Sequence, residues 1–366
     1  MKISYPRDEF LSCISLVAGV CSSKTTKPIL QCMKFETNED HLLVLGTDLE
    51  VAVRCKLPGE GIIEQGGAAL SAIKLLNILK ECSGKTVEIQ TDKRVCSIES
   101  SDGKFKLVGS DPDEFPNIPD FGTDGFSEID FAKFSKFVTL TTFAAARDMG
   151  RYAFNGIRME VREKGLQMVA TDGRRLAVAG PFLEENSIVS SAIVPVKGLQ
   201  QMVKGLGLGT DTILQLKVDK NLVVMKTDWV EVSARKLEGE FPNYEEVVPT
   251  DNDKKICVDR EQFHSALRKA SITAGDEARA VRLAFSQGLL TISSRHEGVG
   301  EAEIEIPIEF EDNSFEITYN PDFILDYLRM LDDKEFRMEF KDNKSAGLFR
   351  GNDESINIVM PITSKS

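Results

Sequence analysis

Histidine and tryptophan are almost absent from this chain, at three and one residues in 366, beside five tyrosines. His41, His264 and His296 are scattered and no Gly-x-Ser-x-Gly turn occurs, so the groups that usually carry nucleophilic or acid–base chemistry do not assemble. Carboxylates are too abundant for any one pair to stand out. No stretch approaches the roughly 18 apolar residues of a membrane span. The opening MKISYPRDEF sets Arg7, Asp8 and Glu9 before a short apolar stretch, and the expectation is a cytoplasmic protein without a membrane partner. Cysteine pairing is missing too. Cys13, Cys21, Cys32, Cys55, Cys82, Cys96 and Cys257 are odd in number, form no CxxC, and have no histidine at ligand spacing. Reduced, mostly buried thiols are expected, with no metal and no cofactor. Positive charge is short as well: 45 Lys and Arg against 58 Asp and Glu leave −13. That balance opposes a surface that coats nucleic acid everywhere, while a local basic stripe remains open.

Two nucleotide motifs are incomplete. Ser83-Gly84-Lys85-Thr86 ends like a phosphate-binding loop, but Leu79 stands where the first glycine belongs. A helical pattern precedes the fragment and the strand-like TVEIQ follows, the reverse of strand, loop, helix, so a glycine helix cap is the better reading. Gly205, Gly207 and Gly209 lack GxGxxG spacing and follow a helical pattern, which suits a flexible turn.

What is present is repetition. Glu114-Phe115-Pro116-Asn117 recurs at Glu240-Phe241-Pro242-Asn243, 126 residues on, and one third of 366 is 122. LLVLGTDLEVAV at 42–53 parallels LQMVATDGRRLAV at 166–178, with a weaker third copy, LLTISSRHEGVG, at 289–300. Lys93, Lys220 and Lys344 each open a strand-rich stretch. Helical spacing recurs in Phe10, Ile14 and Val17, in Phe134 and Val138, and in Phe263, Leu267 and Ala270. A second helix per copy is expected near 69–82 (Leu70, Ile73, Leu76, Leu79), 196–206 (Val196, Leu199, Met202, Leu206) and 321–331 (Phe323, Tyr327, Met330). With alternating strand patterns between them, the fold class is α+β, in three similar domains at 1–122, 126–249 and 254–366.

ATDGRRLAV at 170–178, RYAFNG at 151–156, the two EFPN elements and VMPI at 359–362 together make the chain resemble the bacterial sliding clamp, the beta subunit of the replicative DNA polymerase, over essentially its whole length. The resemblance implies a non-enzymatic processivity factor. In it, each domain packs two helices on antiparallel sheets, and a head-to-tail homodimer closes a ring around duplex DNA, read without regard to sequence. Its further implied partners are the polymerase, a clamp-loader ATPase and other DNA-processing proteins, bound through short linear peptides.

Cations on the ring-lining helices would meet phosphates. Candidates are Lys24, Lys74, Lys80, Arg147, Arg151, Tyr152, Lys197, Gln201 and Lys204, the last three spaced to share one helix face, with Arg268, Arg279 and Arg282 in the third domain. The final helix departs from this, with Asp322 and Asp326 beside only Arg329. The peptide cleft is implied at Phe154, Thr171, Gly173, Arg174, Arg175, Leu176, Pro242, Val247, Asn320, Phe323, Ser345, Ala346, Val359, Met360, Pro361 and Ile362. Glu245 and Glu246 stand where the family often has a basic residue, and Thr363-Ser364-Lys365-Ser366 extends past VMPI. Arg94, Lys104 and Lys106 flank Phe105 and Leu107, while Glu301, Glu303 and Glu305 alternate on a third-domain strand. The resemblance places these at the dimer contact with Lys74, Ile272 and Glu297; without it they read as solvated strand faces. A monomeric three-domain peptide-binding scaffold is the alternative.

Overall fold

The computed structural model describes the chain except for residues 23, 147–151, 164, 181–187, 206–211, 276–278, 352–353 and 364–366. Each third runs strand, helix, four or five strands, helix, three strands. The first comprises β1 (Lys2–Pro6), α1 (Arg7–Ala18), β2 (Cys32–Thr37), β3 (His41–Thr47), β4 (Val51–Pro58), β5 (Ile62–Glu64), β6 (Gly67–Ser71), α2 (Ala72–Glu81), β7 (Thr86–Asp92), β8 (Val95–Ser100) and β9 (Gly103–Val108). The second comprises β10 (Ser127–Asp130), α3 (Phe131–Thr142), β11 (Gly156–Arg162), β12 (Gly165–Thr171), β13 (Arg175–Ala179), β14 (Ile188–Pro195), α4 (Val196–Gly205), β15 (Ile213–Val218), β16 (Leu222–Lys226) and β17 (Val230–Arg235). The third comprises β18 (Lys254–Asp259), α5 (Arg260–Ser271), β19 (Val281–Ser286), β20 (Leu289–His296), β21 (Gly300–Pro307), β22 (Phe315–Tyr319), α6 (Pro321–Leu328), β23 (Glu335–Phe340), β24 (Gly347–Arg350) and β25 (Ser355–Val359). No helix among the described residues is long and apolar enough to cross a membrane.

Contacts group the chain into two compact units that cut across the thirds: residues 1–135 with 194–236, and 136–193 with 237–366. The first holds two antiparallel sheets, ordered β5-β1-β7-β8-β9 and β10-β15-β16-β17-β4-β3-β2-β6. The second holds β14-β11-β12-β13-β25-β24-β23-β18 and β21-β20-β19-β22. The cause is strand pairing between thirds. The last strand of the second third, β17, pairs with β4 of the first, and β25 of the third pairs with β13 of the second.

The first helix of each third buries an aromatic at its fourth residue: Phe10, Phe134 and Phe263 are each at most 1% exposed. The second helices differ from expectation. Leu70 lies on β6, and α2 buries Ala72, Leu75 and Leu79 while Ile73 is 48% exposed. The buried stripe is thus turned about the helix axis from the expected one, because an exposed isoleucine mimics a core position. In α6 the buried set is Pro321, Ile324, Leu325, Tyr327 and Leu328. Leu206, expected in α4, lies outside the described residues. The core of the second unit is rich in rings: Phe285 stacks on Phe315 at 4.6 Å, and Phe340 and Phe349 pack nearby.

The repeated Thr-Asp pairs build matching hairpins. Thr47 Oγ1 donates to the Val51 carbonyl, and Asp48 Oδ1 accepts from the Glu50 and Val51 amides. Thr171 and Asp172 make the same bonds to Arg175 and to the Arg174 and Arg175 amides. The residue after Asp is left-handed in both, Leu49 at φ 78° and Gly173 at φ 85°, a conformation natural only to glycine. A second device is shared by the outer thirds. Arg7 donates to the Leu79 and Lys80 carbonyls at the end of α2, and Arg260 to the Leu328 carbonyl at the end of α6 and to the Asp333 carbonyl just before β23. Each guanidinium supplies donors and positive charge where a helix exposes unsatisfied carbonyls.

Ser83-Gly84-Lys85 follows α2 and leads into β7, so it is not a phosphate loop. Gly84 is not the expected helix cap either: Cys82 ends the helix in an extended conformation. A Cβ on Gly84 would lie 2.3 Å from the Ser100 hydroxyl, so close packing explains the glycine. Gly207 and Gly209 lie outside the described residues.

Candidate functional site

In the second unit the β12–β13 hairpin, the 242–247 segment and the end of β25 enclose a cavity of about 250 Å³. Its lining is Phe154, Thr171, Gly173, Arg174, Arg175, Leu176, Pro242, Tyr244, Val247, Ile358 and Met360. The Thr-Asp turn presents Gly173 and Arg174 at the rim, and Met360, 45% exposed, is tied to the same hairpin by the hydrogen bond its backbone N–H donates to the Arg174 carbonyl. Beneath lies a cluster of Val169, Leu176, Val178, Phe241, Leu348 and Ile358. Arg175 is held as a fixed wall. Its guanidinium bonds Asp172, Asp326 and the Phe143 carbonyl and lies 4.7 Å from the Phe323 ring centroid.

A buried charge network supports the opposite side of the lining. Glu160 is 0% exposed and accepts from Arg158, Arg162 and the Tyr244 hydroxyl. Gln167 also donates to that hydroxyl, at 2.7 Å. Burial, then the adjacent Glu160 charge, pushes the Tyr244 phenol well above its ordinary range, so it stays a neutral donor. An aromatic cleft residue is thus fixed at its polar tip.

Nine of the sixteen residues expected here line this cavity. Of the others, Val359 is fully buried, and its neighbour Ile358, the cross-strand partner of Leu176, lines the cavity. Asn320 caps α6 through the Asp322 amide, Phe323 lies against Arg175, and Ala346 packs on the underlying cluster. Ser345 bonds Asp342, Pro361 is half-buried, and the Ile362 amide bonds the Thr318 carbonyl. Tyr244 is an addition to the expected set, although it completes the FPNY element that flags Pro242.

Models of the N-terminal, central and C-terminal domains of the DNA polymerase III beta subunit match residues 1–119, 128–243 and 245–363. The chain belongs to this family. It is 28% identical to the beta sliding clamp of Pseudomonas putida KT2440 over 99% of this chain and 100% of that one. Identity to the beta sliding clamp of Pseudomonas aeruginosa is 29%, over 99% and 100%. Among solved structures, a P. aeruginosa sliding clamp bound to griselimycin aligns with a TM-score of 0.90 at 28% identity, and the Thermotoga maritima beta subunit with 0.90 at 25%, each over 99% of both chains. The chain is accordingly a DNA polymerase processivity clamp of α+β fold, and not an enzyme.

The clamp's candidate DNA contacts fall into distinct environments. Lys24, Lys74, Lys80, Lys204 and Arg268 are exposed. Lys197 is engaged by Asp48 and the Val20 carbonyl. Gln201 does not share an exposed face with them: it is 4% exposed, its carboxamide against Gly19, because the close α1–α4 approach buries that side of α4. Arg279 pairs with Asp322, and Arg282, on β19, with Glu316. The acids of α6 are thereby matched, Asp326 by Arg175 and Arg329. Arg147 and Arg151 lie outside the described residues, and Tyr152 opens a short 3-10 turn. On α5, His264 has Arg329, Arg268 and Arg260 nearby, and burial first, then these charges, lower its pKa.

Proposed function

We propose that two copies of the chain close head to tail around duplex DNA and hold polymerase, clamp loader and other DNA-processing proteins by peptides seated in the Leu176–Met360 cleft. The domains are taken as 1–122, 126–249 and 254–366. The observation that carries closure is that β9 and β21, two sheet edges without a further strand partner among the described residues, occupy the repeat positions of the strands already joined elsewhere. In both existing joints the strand residue three after the Asp of the Thr-Asp turn meets the same position of the partner: Val51 faces Ala234, and Arg175 faces Val359. Carried to β9 and to the β21 of a second copy, with burial fixing which face is inward, that register sets Phe105 against Ala302, Lys106 against Glu301 and Lys104 against Glu303. Arg54 and Glu231 hold the position of that last pair in the first joint, 3.7 Å apart. Arg94, Leu107, exposed Ile272 and Glu297, Lys74 beside exposed Ile73, and Glu305 extend the contact.

Cross-strand opposite charges and apolar pairs favour such a joint, and pairing removes two open edges. Exposed Lys24, Lys74, Lys80, Lys204 and Arg268 supply sequence-independent attraction to phosphate. The test is retention on DNA. After loading on a nicked circle, the protein stays bound in salt that dissolves phosphate contacts and is released when the circle is cut; release by salt alone contradicts the ring. Its solution mass is twice the 40.5 kDa of one chain, and a monomer that still binds peptide would be the scaffold reading instead.

A further inference from the structure

The cleft wall carrying Pro242, Tyr244 and Val247 is acidic. Every charged residue from 237 to 250 is a glutamate, namely Glu238, Glu240, Glu245 and Glu246, and all four are exposed. Glu245 and Glu246 stand in a 3-10 turn between the lining residues Tyr244 and Val247. Among the described residues, the neighbouring arginines leave most of this charge unmatched. Arg158 and Arg162 share buried Glu160, and Arg162 also reaches Glu245 at 3.3 Å. Two arginines thus face two glutamates, while Glu246 accepts from the uncharged Asn243 amide. Arg175 is buried in ion pairs with Asp172 and Asp326, and exposed Arg174, on the Thr-Asp turn lining the same cavity, adds one positive charge to the rim against the four exposed glutamates.

We infer that this cleft selects peptides whose apolar anchors are closely flanked by lysine or arginine. This rests on the peptide-cleft reading above. An extended peptide advances about 3.3 Å per residue, so a cation within about four residues of an anchor in the cleft comes within reach of the Glu245–Glu246 turn. At an exposed rim, charge acts on encounter rate and on rejection of unlike partners more than on tight binding.

The test uses the full chain and two labelled peptides with one apolar core, flanked by two lysines or by two glutamates, read by fluorescence anisotropy. The lysine-flanked peptide binds about tenfold more tightly at low salt, narrowing to about twofold at 0.3 M salt as screening shortens the reach of surface charge. In Glu240→Lys/Glu246→Lys the preference reverses. Equal affinity of both peptides for the unaltered protein, with Met360→Glu abolishing both, overturns the charge selection and leaves the cleft standing. Binding of neither peptide, or binding indifferent to Met360→Glu, overturns the cleft reading itself.

Discussion

Glu160 is a fully buried carboxylate with two guanidinium partners and a phenol, and removing it takes away the charge that Arg158, Arg162 and Tyr244 share. Glu160→Ala is expected to cost about 3–5 kcal/mol, since Arg162 would keep its charge with only 8% of its side chain exposed. Glu245→Ala, at an exposed partner of the same arginine, is expected to cost about 1 kcal/mol or less. Urea unfolding of both variants at neutral pH measures the contrast; equal costs would place the stabilisation at the surface. Tyr244→Phe removes the hydroxyl shared by Glu160 and Gln167 and is expected to cost about 1–3 kcal/mol. Met360→Glu puts a charge at the cleft mouth without touching β9 or β21, so peptide affinity is abolished while the dimer mass in gel filtration is kept. Little of this network is legible in the sequence. Arg158, Glu160 and Arg162 alternate on β11, a spacing that does not distinguish a covered face from a solvated one, and only folding shows that Glu160 is covered.

Among elements, the strands β9 and β21 carry the sharpest prediction. Lys104→Glu/Lys106→Glu sets like charges opposite Glu301 and Glu303 and is expected to shift the protein to monomer. Glu301→Lys/Glu303→Lys in the second copy restores the dimer on mixing, measured by light scattering. Failure of the rescue would move the joint elsewhere or change its register. Helix existence is legible because Phe10, Phe134 and Phe263 recur with apolar residues at helical spacing. Helix faces are less so: Ile73 is apolar and exposed, Gln201 polar and buried. In both cases the neighbouring element decides which side is covered, and periodicity within one helix does not contain that information. The capping arginines, Arg7 and Arg260, leave no local mark either, because each acts on a helix about seventy residues away.

For the whole molecule, a net −13 and exposed Lys80 and Lys204 predict weak, salt-sensitive attraction to open duplex. Removing one phosphate-neutralising cation lowers the slope of log K against log salt by about 0.9. Lys80→Ala/Lys204→Ala is thus expected to reduce it by roughly 1.8 in titrations of linear DNA, while retention on closed circles is unchanged. An unaltered slope would remove both lysines from the DNA-facing set. The threefold repeat is legible from spacing alone. Its grouping into two units is not, because strand pairing across thirds leaves no mark in composition.

That sharing of sheets separates the covalent thread from the folded body. A nick in the turn between Gly122 and Gly125, both left-handed, cuts one peptide bond but leaves the five-residue β4–β17 ladder intact. Fragments made there should travel together and reassemble from separate chains, so that the protein behaves as a natural case of fragment complementation.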